Sequence, residues 1–168
     1  MVGLAECVNI LMEKEEKHER FGHSAEADRL GVEIMNQIDA FNRAHVNPYC
    51  EATGGHFLLH AQVGIDSDHG TSPGTRIPIG EEPNELIDHL KNISLFHKYF
   101  PSGTGDIFPV DVTVHRNPQY VLDIVRGAMR MNIRYLSFYA SDSDTIRITG
   151  YLVKRSEMEK LDRGENVL

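Results

Sequence analysis

The chain has 168 residues, of which 40% are hydrophobic and 25% charged, and this composition is typical of one soluble globular domain and excludes wholesale disorder. Its 17 Lys and Arg against 25 Asp and Glu give a net charge of −8, which argues against a nucleic-acid partner. The sequence has no apolar run long enough to span a bilayer, no signal peptide, and two cysteines that form neither a disulfide framework nor a metal pair, so we expect a reducing cytoplasm and no membrane association.

The chain begins directly on a predicted helix. Leu4, Val8 and Leu11 recur at helical spacing, with Cys7 beside them as a small buried hydrophobe. No Ser, Thr, Asp or Asn precedes this apolar face as a cap. We therefore expect the face to pack against a portion of the protein that this chain does not contain. The charged run 13–20 is predicted to form the solvated face of the helix.

A second helix, a strand and a long loop are predicted next. Ser24 caps the helix, and Asn47-Pro48 ends it, because the residue before a proline avoids helical geometry. Its predicted buried stripe consists of Leu30, Ile34, Ile38 and Phe41. Residues 57–64 are apolar and follow two glycines, which predicts a buried strand. The segment 66–83 is rich in Gly, Pro, Ser and Thr and is predicted to be a long functional loop.

The second half of the sequence alternates helices and strands. Asn84 is predicted to cap a third helix, and Asn117-Pro118 to start a fourth. Ser156 and Glu159 are predicted to start a final short helix. The predicted strands cover 107–114, 135–139 and 145–153. This alternation predicts the α/β class.

Gly150 is out of place in the predicted strand over 145–153. A glycine there costs backbone entropy and leaves a gap in the packing, so the simplest interpretation is a bulge or a tight bend. A chemical interpretation is also open. Only glycine has an α-carbon that can lose a hydrogen atom and become planar with no side chain in the way, and the radical is then delocalised over the flanking amide groups.

The segment Arg147-Ile148-Thr149-Gly150-Tyr151 resembles the radical-bearing motif R-V/I-x-G-Y of the glycyl radical enzymes. The opening Gly3-Leu4-Ala5-Glu6 is similar to a G-L-x-E block inside the barrel of one such family, the YjjI-type glycine radical enzymes, and of anaerobic ribonucleotide reductases. Further blocks that resemble the C-terminal part of the YjjI-type family are 58–65, 75–83, 105–108, 137–139 and 146–156. The resemblance covers essentially the whole chain.

The resemblance implies a fold and a radical site. The fold would be α/β, the C-terminal portion of a glycyl radical enzyme barrel, with the radical loop near the C-terminus. Residues 1–168 would be part of such a domain, with a helical and barrel segment over 1–100 and a glycine radical segment over 101–168. Gly150 would carry the radical, and Arg147 and Tyr151 would shape its loop.

The resemblance also implies partners and a setting. A radical S-adenosylmethionine activating enzyme with an iron–sulfur cluster would abstract the hydrogen from Gly150, so the radical is a modified residue and we expect no bound cofactor. The radical would pass to a cysteine thiol and then to an unidentified small-molecule substrate. Oxygen would destroy the radical by cleaving the backbone at Gly150, which implies an anaerobic cytoplasm. The resemblance leaves a homodimer open.

The thiol that would receive the radical has two candidate locations, one within this chain and one outside it. In the family that the chain resembles, the thiyl cysteine lies further upstream of the radical glycine than this chain extends. Cys50 follows Pro48-Tyr49 at a loop edge and is the better candidate within the chain. We otherwise expect the thiol on a missing N-terminal barrel portion or on a partner subunit.

Other polar residues form weaker candidate sites. His56 and His60 would point to one face of the predicted strand, and His69 would complete a three-histidine metal site. No carboxylate is placed to complete this set, so polar or substrate-lining roles are the alternative. Arg76 and Glu81-Glu82, in the long loop, are predicted to line the active-site face.

The leading prediction is therefore an enzyme that is incomplete in this chain, and two other functions remain open. An autonomous glycyl radical protein would replace the oxygen-damaged end of a partner enzyme and would do no catalysis alone. A plain α/β binding module would use Gly150 only as a bulge.

Overall fold

A computed structural model describes residues 1–61, 71–111, 114, 116–141, 145–148 and 151–165. Three helices come first, α1 (Leu4–Lys14), α2 (Ala25–Ala44) and α3 (Leu86–Ser94), with short 3₁₀ turns at Glu51–Thr53 and His97–Tyr99. The order then becomes β1 (Ile107–Asp111), α4 (Pro118–Arg130), β2 (Ser137–Ser141), β3 (Thr145–Ile148), β4 (Tyr151–Lys154) and α5 (Arg155–Asp162). The chain thus combines a helical first part with a mixed second part.

The strands form two separate pairs. β1 and β2 run parallel, from Ile107 beside Ser137 to Asp111 beside Ser141, and α4 provides the crossover that parallel strands require. β3 and β4 run antiparallel and form a hairpin. The predicted α/β class is confirmed, while a barrel is not shown by the residues that the structure describes.

Two hydrophobic clusters hold the elements together. The larger cluster joins α1, α2 and the segment after α3, and its aromatic centre is the pair Phe21 and Phe96, whose ring centroids lie 5.4 Å apart. The smaller cluster joins α3, β1 and α4 through Leu90, Phe108 and Ala128. Because α3 contributes to the smaller cluster and the segment directly after it contributes to the larger one, this part of the chain links the first helices to the βαβ unit.

The buried face of α1 includes Leu4 and Val8, as predicted, but these residues pack within this chain, in the larger cluster, and not against a portion outside it. The residues that α1 buries are Leu4, Ala5, Val8, Asn9 and Met12. Leu11 is 38% exposed and Cys7 is exposed, so the prediction of Cys7 as a buried hydrophobe is wrong. The helix has apolar residues on both sides, and it turns the side with Ala5 and Met12 towards the core. It ends at Lys14, so the run 13–20 is mostly an exposed connection and not the face of a helix.

The second helix has the predicted cap but a shifted stripe. The Ser24 side chain accepts a hydrogen bond from the Glu26 N–H, as predicted. The residues that α2 buries are Ala27, Gly31 and Met35, and Phe41 is 76% exposed. The predicted Leu30, Ile34 and Ile38 are only partly buried, on the flank of this contact. The helix packs through its small residues because the Phe21 ring lies over Gly31.

Several predicted boundaries are corrected by the structure. Residues 57–60 have irregular backbone, and Phe57 and Leu58 are 49% and 58% exposed. The predicted buried strand is therefore absent from the described part of 57–64. In that part, only Ala61 pairs with another segment, in an isolated bridge with Thr104. Glu85, and not Asn84, precedes α3. The predicted strand over 145–153 is a hairpin of two strands. The final helix begins at Arg155, so Ser156 lies within it.

Candidate functional site

The segment 71–76 is held against the start of the chain. The Gly3 N–H donates to the Ser72 carbonyl (2.7 Å), and the Gly74 N–H donates to the Met1 carbonyl (2.9 Å). The Ser72 N–H donates to Oε1 of Glu6 (2.7 Å). Gly74 has a positive φ of 59°, and a Cβ there would lie 2.7 Å from Cβ of Ala61, so only glycine fits. The G-L-x-E block thereby fixes the loop that carries Arg76.

Arg76, Asp106 and His89 form a buried polar cluster. The Arg76 Nε lies 3.3 Å from Oδ1 of Asp106, and the His89 Nε2 lies 2.8 Å from Oδ2 of the same carboxylate. The three side chains are at most 3% exposed. The Ile107 N–H also donates to Oδ1 of Asp106 (2.7 Å). One carboxylate thus receives groups from the 71–81 segment, from α3 and from the start of β1.

This cluster unites segments that are distant in sequence. The Thr75 and Thr104 hydroxyls, 2.7 Å apart and buried, make a second contact between the same two segments. The His89 ring lies against Phe108, with ring centroids 4.7 Å apart. Two of the blocks that carry the family resemblance, 75–83 and 105–108, therefore meet at Asp106. Burial of an arginine and a carboxylate is stable only when the two charges compensate each other.

A cleft of about 470 Å³ lies between α1 and the 71–81 segment. Its wall includes Glu6, Ser72 and Arg76, and its apolar side includes Ile77 and Ile79. This size is within the range of small-molecule sites.

The mouth of the cleft carries paired charges. The Arg20 Nη2 lies 2.5 Å from Oε2 of Glu81, and the Arg20 Nη1 lies 3.9 Å from Oε1 of Glu13. The predicted lining residues Arg76 and Glu81 share this cleft. The Glu82 carboxylate instead accepts a hydrogen bond from the Gly80 N–H (2.6 Å).

The described residues of the segment that resembles the radical-bearing motif lie on β3 and β4. Arg147 pairs with Leu152, and Ile148 pairs with Tyr151, so the motif's arginine and tyrosine are on opposite strands next to the connection. The connection consists of Thr149 and Gly150, and the predicted radical residue lies outside the described residues. The roles of Gly150, Arg147 and Tyr151 stay predictions.

The two cysteines occupy different environments. Cys7 is exposed on α1, and Cys50 is partly buried. The Cys50 N–H donates to the Asn47 carbonyl (3.1 Å), and the Cys50 carbonyl accepts from the Gly55 N–H (2.9 Å). Cys50 is thus held by its backbone at the start of the 3₁₀ turn Glu51–Thr53.

The predicted three-histidine metal site depended on a strand that would place His56 and His60 on one face, and the structure has no strand there. His56 and His60 lie on irregular backbone, so strand alternation does not place them on one face. His69 lies outside the described residues. Within the part of the chain that the structure describes, no group of three or more His, Cys, Asp or Glu side chains is placed to hold a metal ion.

Two further titratable groups, one fully buried and one partly buried, were not predicted from the sequence. His97 is fully buried, and its Nδ1 accepts a hydrogen bond from the Arg134 N–H (3.0 Å). Burial, reinforced by the nearby Arg134 charge, lowers the pKa of His97 to about 4. Asp28 accepts from the Gly22 N–H (2.7 Å) and from the Asn92 amide (2.9 Å). Burial raises the pKa of Asp28 in spite of these hydrogen bonds.

The Asp106 cluster was also missed by sequence analysis. One signal was present, because His89 falls on the buried side of α3 next to Leu90, where a histidine needs a hydrogen-bond partner. The sequence did not reveal that Asp106 is that partner.

Among the helices in the described ranges, none is long and apolar enough to cross a membrane.

Comparison with known proteins identifies the family. The family model described as "Glycyl radical enzyme YjjI-like" matches residues 1–168. An "Uncharacterized protein" of Haemophilus influenzae is 45% identical over 171 aligned residues, which cover 100% of this chain and 33% of that protein. The "Uncharacterized protein YjjI" of Escherichia coli is 41% identical over 160 residues, which cover 95% of this chain and 30% of that protein.

The chain spans about a third of the length of these curated relatives. No solved structure matches it significantly. A family model that covers every residue, together with relatives at 41% and 45% identity, agrees with the resemblance of the sequence blocks. The chain belongs to the YjjI-like glycyl radical enzyme family.

Proposed function

We propose that this chain stores a backbone radical on Gly150 and is part of a glycyl radical enzyme. The observation that carries the proposal is the position of the R-I-T-G-Y motif within a chain that belongs to this family over its whole length. The hairpin supports it, because Tyr151 follows the connection between β3 and β4 directly and Arg147 lies one residue before the end of β3. Family membership also favours an enzyme over a plain α/β binding module.

The proposed chemistry requires one hydrogen transfer to create the radical and two to use it. A radical S-adenosylmethionine activating enzyme removes the α-hydrogen of Gly150. The glycyl radical then takes a hydrogen atom from a cysteine thiol, and the thiyl radical takes one from a small-molecule substrate. The protein supplies a dry, oriented site, and the radical performs the difficult step. The barrel that encloses such a site is part of the proposal.

Cys50 is the candidate for the thiol within this chain, because it is held by its backbone, whereas Cys7 faces solvent on α1. A Cys50→Ser variant should still acquire the radical, because the thiol acts after the radical is stored. If the Cys50→Ser protein acquired no radical after treatment with the activating enzyme, this order of events would be contradicted.

Oxygen-dependent cleavage tests where the radical is stored. The complete protein is activated under argon with its activating enzyme and then exposed to air. We expect mass spectrometry to find a new peptide end at Gly150, because oxygen adds to the carbon-centred radical and breaks the backbone there. Gly127→Ala is the matched control, because a Cβ at Gly127 meets no atom within 4 Å. Cleavage that persists in Gly150→Ala would place the radical elsewhere.

A further inference from the structure

A stack of three rings lies at the end of α2 and on the connection that follows this helix. The Phe41 ring stacks on His45, with 6.4 Å between the ring centroids, and His45 stacks on Phe57, with 6.1 Å between the centroids. The Asn42 side chain donates a hydrogen bond to the Phe57 carbonyl (2.6 Å). This bond holds the connection against the helix, so rings from two segments form one continuous surface.

The stack and the residues that follow its rings are exposed. Phe41 is 76% exposed and Phe57 is 49% exposed. Val46 follows His45 and is 65% exposed, and Leu58 follows Phe57 and is 58% exposed. We call these five residues the aromatic surface. Single exposed hydrophobic residues are common in proteins, but a group of neighbouring ones marks an interaction site.

The aromatic surface lies in a segment with little charge. Residues 41–58 contain two charged side chains, Arg43 and Glu51, whereas 25% of the whole chain is charged. Arg43 pairs with Asp39, one helical turn earlier (2.8 Å). A membrane-binding surface would need several Lys or Arg residues around it, and an interface core between proteins is depleted of charge. The composition therefore favours an apolar protein surface as the partner.

The start of the chain lies next to the aromatic surface. The Met1 amino group donates to the His60 carbonyl (3.3 Å), two residues after Leu58. The chain corresponds to 33% and 30% of the length of the two curated relatives, and its sequence blocks resemble the C-terminal part of the family. In such a longer protein, the polypeptide that precedes the position of Met1 would enter beside the aromatic surface.

We propose that the aromatic surface is the face on which the preceding part of a YjjI-type enzyme packs, with Phe41 and Phe57 as its anchors. Aromatic side chains bury a large apolar area and are enriched among the residues that dominate binding energy. The preceding part is joined to this chain or bound to it as a subunit, and the contact is the same in both cases. The proposal rests on family membership and does not depend on a radical at Gly150.

Photo-cross-linking in the complete enzyme tests the proposal. Phe57 is replaced by the photoreactive analogue p-benzoylphenylalanine, and cross-linked peptides are identified by mass spectrometry. A mixture of unlabelled and isotope-labelled protein separates links within one copy from links between copies. We expect links to peptides from outside residues 1–168. Links only to residues 1–168 of a second copy would identify a face between copies of this chain and overturn the proposal. Links only within one copy, or no links at all, would also overturn it.

A pair of cysteine variants measures whether the surface is covered. Val46 and the Arg126 side chain on α4 are 65% and 64% exposed in this chain. In the complete enzyme, we expect maleimide to label Val46→Cys about tenfold or more slowly than Arg126→Cys, because a thiol inside an interface reacts only when the contact opens. Peptide mass spectrometry separates both sites from Cys7 and Cys50. Equal labelling rates at the two positions would show that the aromatic surface faces solvent and would refute the proposal.

Discussion

The guanidinium of Arg76 and the carboxylate of Asp106 form an ion pair in the interior, with 3.3 Å between Nε and Oδ1 and neither side chain more than 3% exposed. Removing one member of a buried pair leaves the other charge uncompensated, which costs about 3–5 kcal/mol. We therefore expect Asp106→Asn to lower the free energy of unfolding by about that amount, measured by urea denaturation. His89 would also lose the acceptor of its Nε2 hydrogen bond.

Asp123→Asn is the matched control for the Asp106 substitution. Asp123 pairs with Arg126 (3.2 Å) on the surface of α4, with both side chains at least 60% exposed. Exposed ion pairs contribute about 0–1 kcal/mol to stability, so the free energy of unfolding of this variant should lie close to that of the unaltered protein. If the two substitutions lowered the free energy of unfolding by equal amounts, the ion pair of Arg76 and Asp106 would not stabilise the fold as a buried pair.

Two glycines inside helices should respond oppositely to alanine. A Cβ at Gly31 of α2 would lie 2.8 Å from Cε2 of Phe21, so Gly31→Ala forces the core apart at a cost of about 1–3 kcal/mol. A Cβ at Gly127 of α4 meets no atom within 4 Å, so Gly127→Ala should gain about 1 kcal/mol from helix propensity. Thermal unfolding of both variants measures the difference. A stabilising Gly31→Ala would contradict the described contact between α2 and Phe21.

Stability should decrease in moderate acid because of His97. The pKa of His97 is about 4 in the fold and about 6.5 in the unfolded chain, so the unfolded state binds more protons between these values. The contribution of His97 to the free energy of unfolding is fully present above pH 6.5 and is lost as the pH falls towards 4. The raised pKa of Asp28 acts in the opposite direction, because the folded state then holds a proton that the unfolded carboxyl releases.

A substitution at His97 isolates its contribution. His97→Asn keeps an acceptor for the Arg134 N–H but has no titrating ring. The free energy of unfolding of this variant, measured by urea denaturation from pH 7 to pH 4, should therefore decrease less steeply than that of the unaltered protein. His18→Asn, at an exposed position, should follow the unaltered protein. An unchanged slope in His97→Asn would mean that His97 is not the group responsible.

Local signals predicted the helices better than the buried faces. The Ser24 cap and the Asn117-Pro118 start are encoded by adjacent residues, and the structure has helices directly after both. Leu4 and Val8 were predicted on the buried face of α1, but the choice between Leu11 and Met12 was not predictable in this way, because apolar residues lie on both sides of the helix. Only contact with α2 and the 96–100 segment selects the face with Met12.

The candidate site depends on contacts between distant segments. Arg76 was predicted to line a functional face, but its partner Asp106 belongs to another segment, and nothing in either local sequence links the two. Glu6 is similar, since its bond to the Ser72 N–H requires the chain start to lie against the 71–76 loop. The sequence indicated a bulge or a tight bend at Gly150, but it did not show that the run 145–153 divides into two paired strands, because residues that favour strands lie on both sides of Gly150.

Electron paramagnetic resonance of the complete protein, activated under argon, tests the central claim most directly. A radical on Gly150 retains one α-hydrogen, so we predict a doublet that is absent from Gly150→Ala and present in Gly127→Ala. The doublet should collapse to a single line when the protein is labelled with glycine deuterated at the α-carbon. A doublet that survives Gly150→Ala would contradict storage of the radical at this residue.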